Sequence, residues 1–106
     1  MPDQGIQTPT RSVFENLFPI DTGTWMSRIL GTQKRSVDRM MDGYSTTAPR
    51  ILEKAAKQAD IRDELRAEIL ASLSKASGKG GHVLVLRYTL ADILKGSELD
   101  RDEDPI

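Results

Sequence analysis

TWMSRILGTQKRSVDRMMDG, residues 24–43, reads as two short amphipathic helices hinged at Gly31. Trp25, Met26, Ile29 and Leu30 fall at the i, i+3, i+4 spacing of one helical face, and Val37, Met40 and Met41 form the stripe of a second. Leu30-Gly31-Thr32 is a stop and a restart. Glycine takes the positive φ that closes a helix, and the Thr32 hydroxyl is placed to cap the next one. The second helix opens on Gln33, Lys34, Arg35 and Ser36 and ends at Gly43. A buried hinge followed by a helix with an outward-facing polar N-terminus is the layout of a helix-turn-helix.

Upstream, Thr10 is the expected cap of a first helix to about Phe18, with Val13, Phe14, Leu17 and Phe18 on one face and Pro19 as its stop. Residues 1–9 hold two prolines and a glycine without periodicity and are expected to be disordered. Asp21 or Thr22 caps the next helix. Downstream, a polar loop from Tyr44 leads to Pro49, which suits the first turn of a helix. The segment Pro49–Ala59 sets Ile51, Leu52, Ala55, Ala56 and Ala59 inward and Arg50, Lys54 and Lys57 outward. Asp60 is expected to start a further helix, with Asp63 and Glu64 near its positive end and Ile61, Leu65, Ile69 and Leu73 repeating every four residues. Lys75 and Gly78 close it. That stripe serves either the domain core or another subunit.

Beyond the Gly78–Gly81 break, residues 82–89 (HVLVLRYT) are apolar and β-prone. The reading favoured here is a strand, then a short helix Leu90–Lys95 capped by Thr89 and closed by Gly96. The alternative is one helix from Val83 to Lys95. A lone strand in a helical chain needs a partner, and the same strand of a second copy across a two-fold axis supplies one. Residues 78–96 are therefore the candidate dimerisation element of a homodimer. The expected fold is mainly α: a four- to five-helix domain over residues 10–77, then this β-prone segment and short helix. Residues 97–106 hold too little apolar content to fold and read as an acidic, solvated tail.

The net charge of −1 conceals an uneven distribution. Between Met26 and Lys57, seven basic residues (Arg28, Lys34, Arg35, Arg39, Arg50, Lys54, Lys57) stand against Asp38, Asp42 and Glu53. From Glu98 to the last residue, Glu98, Asp100, Asp102, Glu103 and Asp104 face only Arg101. A basic module thus carries an acidic tail. The absence of cysteine excludes disulfides and thiolate metal sites, and the lone His82, read as a surface residue, cannot make a catalytic set. Ser74, Ser77 and the following glycines lack the glycine-lysine-serine order of a phosphate loop. Neither a cofactor nor a metal is expected, and an enzyme is the last of the functional readings. With no apolar run near the roughly 20 residues of a membrane helix and no leader-like start, the expectation is a cytoplasmic protein without a membrane partner.

The central unit resembles the lambda-repressor-like (Xre/Cro type) helix-turn-helix regulators of bacteria and phages, over about Val13 to Ala59. The resemblance rests on Ser27 as the small residue of the first helix, Leu30 before the hinge, Gly31 at it, and Val37 and Met40 as the buried residues of the second helix. SRILGTQKRSVDRMMDGYSTTAP is similar to the family's hinge, following helix and closing loop. The resemblance implies binding to double-stranded DNA, with a recognition helix over about 32–42 in the major groove. On that reading Thr32, Gln33, Lys34, Arg35 and Ser36 approach base edges from the helix's N-terminal end, with Arg39 one turn along. Arg or Lys reads guanine and Gln reads adenine. Arg28, Tyr44 and Ser45 are placed for phosphate contacts, which position without specifying sequence. Because Asp38 and Asp42 share this helix, contact is expected to lean on its first turn. Two functions follow as expectations. The first is a small sequence-specific transcriptional regulator. The second is a protein-interaction module of the same fold, such as an antiactivator or antitoxin-like adaptor.

Overall fold

The computed structural model describes residues 8–96 and 105–106. Five helices follow one another: α1 Pro9–Leu17, α2 Thr22–Leu30, α3 Lys34–Met41, α4 Pro49–Gly78 and α5 Val83–Lys95. The protein is mainly helical, as expected, and among the described residues there is no strand. No helix among them is long and apolar enough to cross a membrane. The chain divides into two compact units, one running to Arg62 and including Pro105 and Ile106, the other running from Asp63 through α5.

In the first unit, α1, α2, α3 and the start of α4 close around Phe14, Leu17, Met26, Val37, Met41, Ala55 and Ala59. Phe14, Met26 and Val37 are fully buried. Val13, Phe18, Ile29, Leu30, Met40, Ile51 and Leu52 pack against this centre, each partly buried. Two residues expected inside are not. Ala56 is exposed, and Trp25 keeps 44% of its surface in solvent. Its ring stacks on Phe18 with centroids 6.0 Å apart instead of entering the core.

Helix α1 starts earlier than its sequence suggests. Thr8, not Thr10, is the N-cap, and Pro9 fills the first turn, where a missing N–H costs nothing. The Thr8 hydroxyl accepts from the Arg11 amide at 2.9 Å and donates to the Met41 carbonyl at 2.9 Å, tying the start of α1 to the end of α3. Thr10 is buried, and its hydroxyl donates to the Thr47 hydroxyl at 2.9 Å. Thr8 and Pro9 are thus ordered, while residues 1–7 of the expected disordered segment lie outside the described residues. Asp21 occupies the N-cap of α2 in a left-handed conformation without a side-chain capping bond, and the Thr22 hydroxyl bonds back to the Phe18 carbonyl.

Asp60 does not begin a helix. Helix α4 runs unbroken through it, because no glycine or proline interrupts Ile51 to Ser77 and the helical ladder has no reason to stop. Arg62 donates to the Leu17 carbonyl at 2.7 Å and to that of Asn16, satisfying acceptors at the C-terminal end of α1.

In the second unit the expected strand is a helix. His82 is the N-cap of α5, its Nδ1 accepting from the Leu84 amide at 3.0 Å, and Gly96 closes the helix. Thr89, expected as a cap, lies mid-helix with its hydroxyl on the Val85 carbonyl at 2.7 Å. A helix satisfies its backbone groups within itself, whereas a lone strand leaves them for another chain. Gly78 is the last residue of α4, and the chain reverses through amide bonds from Gly80 to the Ser77 carbonyl and from Gly81 to that of Ala76.

Candidate nucleic-acid interface

Two glycines set the limits of α3. At the end of α2, the Gly31 amide donates to the Arg28 carbonyl and the Thr32 amide to that of Ser27, the paired bonds of a Schellman motif. Gly31 sits at φ +68°, which L-residues with a side chain resist. Because the Thr32 amide is committed backwards, the new helix restarts one residue late. Gln33, not Thr32, is its N-cap, with extended backbone, a carbonyl accepting from Ser36 and Val37, and no side-chain capping bond. At the far end Gly43, φ +86°, repeats the arrangement: its amide bonds to Met40 and that of Tyr44 to Arg39.

Between these ends, Val37 and Met41 face the core one turn apart, which turns Arg35 and Arg39 outward, whereas Lys34 lies along the same stripe, runs beside Gly23 of α2 and stays exposed because it opens the helix. Gly23 lets α2 approach closely. A Cβ there would stand 2.8 Å from an Asp38 carboxylate oxygen. Asp38 pairs with Lys34 at 3.0 Å, and Asp42 pairs with Arg11 of α1 at 2.6 Å. The acid on this helix and the one at its C-cap thus each have a cation of the same chain beside them, and Arg35 and Arg39 stay solvent-exposed.

The remaining expected contacts scatter around this helix. Thr32 and Gln33 are exposed at its start, whereas Ser36 and Ser45 are half-buried. Tyr44 is 75% exposed, and the Arg39 guanidinium lies over its ring at 5.9 Å. Arg28 lies 4.9 Å over the Trp25 ring, so the stacked Phe18–Trp25 pair holds a guanidinium at the end of α2.

Three features were not read from the sequence as part of this site. Arg50 and Lys54, one turn apart on α4, line a groove of about 260 Å³ with Thr32, Leu30, Met40 and Ile51. Their i, i+4 spacing after Pro49 was the available signal. The Arg11–Asp42 pair joins residues 31 positions apart, and no local pattern announces it. Finally, Pro105 and Ile106 leave the expected tail. The Ile106 amide donates to the Ile29 carbonyl at 3.1 Å, and Pro105 packs on Gly31. The rest of that tail, residues 97–104, lies outside the described residues.

Among the described residues no cluster of three or more acids and histidines could hold a metal ion. A comparison with protein-family models, curated proteins and solved structures finds no match to this chain.

Proposed function

We propose that the first unit is a helix-turn-helix DNA-binding domain of a sequence-specific transcriptional regulator, with α3 as the helix that enters the major groove. The observation that carries this reading is the charge state of α3. Asp38 within it and Asp42 at its C-cap are each paired with a cation of the chain, while Arg35 and Arg39 stand exposed one turn apart. Gln33, Lys34 and Arg35 read base edges from the N-terminal turn. Arg28, Tyr44, Ser45, Arg50 and Lys54 supply phosphate contacts that fix the register.

The test is selection of bound duplexes from a randomised pool. An enriched sequence is expected, and Arg35→Ala relaxes one position of it by about 1–3 kcal/mol. Recovery of no enriched sequence, with Arg35→Ala indistinguishable from the parent, would defeat the reading. Exposed Ile20 (77%) and Trp25 favour a second function, docking of this unit on another protein. It would be adopted if DNA were not bound and Trp25→Ala abolished association with a partner.

A further inference from the structure

We infer that Asp63–Lys95 is a self-association element: two copies of the α4–α5 hairpin pack antiparallel, face to face, as a four-helix bundle. Within one chain the hairpin has no interior. None of the residues from Asp63 to Gly96 is buried, although Leu65, Leu70, Val83, Val85, Ile93 and Leu94 are each about half exposed (49–59%). Apolar residues surround α5 on nearly every side, with only Arg87, Thr89, Asp92 and Lys95 between them. A helix that is apolar all round belongs inside a structure, and a 13-residue helix covered on one side is marginal in water. Along the seam, Leu65, Ile69, Leu73, Leu86 and Leu90 leave an open apolar groove of about 360 Å³.

Shape and charge select a second copy as the occupant. The groove floor is an apolar face with no cover in the chain, and a second copy presents an apolar face of the same kind to close it. On α4, Glu68 at the groove edge and Lys75 two turns further lie on one face, separated by the small residues Ala71 and Ser72. An antiparallel copy related by a two-fold axis between Ala71 and Ser72 sets Glu68 against Lys75 of the second copy, and the symmetry repeats the pair. The same register sets Glu64 against Lys79 of the second copy. The small residues at the axis let the backbones approach. The apolar floor supplies the area and the flanking charges choose the direction.

This inference does not rest on DNA binding, and its test contains no DNA. Sedimentation equilibrium of the full chain is expected to give twice the 11.8 kDa of one chain. Leu86→Asp, which sets a carboxylate on the groove floor, raises the dissociation constant by about 100-fold or more. Glu68→Lys and Lys75→Glu are surface changes that leave the monomer's helices intact by circular dichroism. Each weakens the dimer by about tenfold through two like-charge contacts, and the double swap restores it. A mass of one chain at every concentration overturns the proposal and leaves the groove to a helix of a different protein. A dimer unaffected by Leu86→Asp, or a double swap no tighter than its single variants, overturns it equally.

Discussion

Gly31→Ala tests the turn that sets up α3. Two separable costs follow from the structure. A side chain at φ +68° carries the left-handed penalty, about 1–2 kcal/mol. The new Cβ would also lie 2.6 Å from Pro105 Cγ, closer than carbon atoms approach, so the Pro105–Ile106 segment must shift. Losing its hydrogen bond to the Ile29 carbonyl adds about 1 kcal/mol. The sum is about 2–3 kcal/mol. In a domain of this size each kcal/mol moves the melting temperature by about 4–8 °C, so circular dichroism of the full chain should show a fall of about 10 °C or more. In a Pro105→Gly background the same substitution should retain only the backbone part, because the two changes share one contact. Gly31→Asn in that background should lose less, since Asn tolerates the left-handed region. An unchanged melting temperature for Gly31→Ala would refute the turn. An identical loss in both backgrounds would refute the Pro105 contact.

The core and the caps give further expectations. Met26→Ala removes a fully buried side chain of α2 from the core and should destabilise the first unit by about 2–5 kcal/mol, measured by urea unfolding. Thr8→Ala removes both the cap of α1 and its bond to the Met41 carbonyl, at a cost of about 1–2 kcal/mol in the same assay. A loss below a few tenths of a kcal/mol would mean that Thr8 does not cap α1. Gly23→Ala should disturb the Lys34–Asp38 pair through its 2.8 Å clash and lower DNA affinity more than it lowers stability. Equal affinity for the variant and its parent would contradict the placement of α2 against α3.

Much of the first unit is legible because its signals are local. Phe14, Leu17, Met26 and Val37 are spaced for helical faces and are buried, and Gly31 takes the positive φ expected of it. Signals that depend on distant groups were not legible. Trp25 fits the apolar stripe of α2, but stacking on Phe18 and a guanidinium above it give the ring a place at the surface. Thr10 resembles a cap by sequence, yet Thr47 across the fold takes its hydroxyl and leaves the role to Thr8. In the second unit, Val83 and Val85 favour a strand by propensity. Length and punctuation decided otherwise, since His82 and Gly96 bracket 13 residues that a helix accommodates. Asp60 looks like a start because acids favour helix N-termini, but nothing before it ends the preceding helix. At the candidate site, the sequence supplies the basic residues of α3, while the pairing of Asp42 with Arg11 required the folded chain.

The salt dependence of binding to a labelled mixed-sequence DNA duplex tests the central claim most directly. If the exposed cations around α3 displace condensed counterions from about four phosphates per domain, log Kd should rise linearly with log salt with a slope of about 3 or more. Arg35→Ala and Arg39→Ala should each weaken binding. A slope near zero, or no binding even at low salt, would contradict the assignment of α3 to DNA.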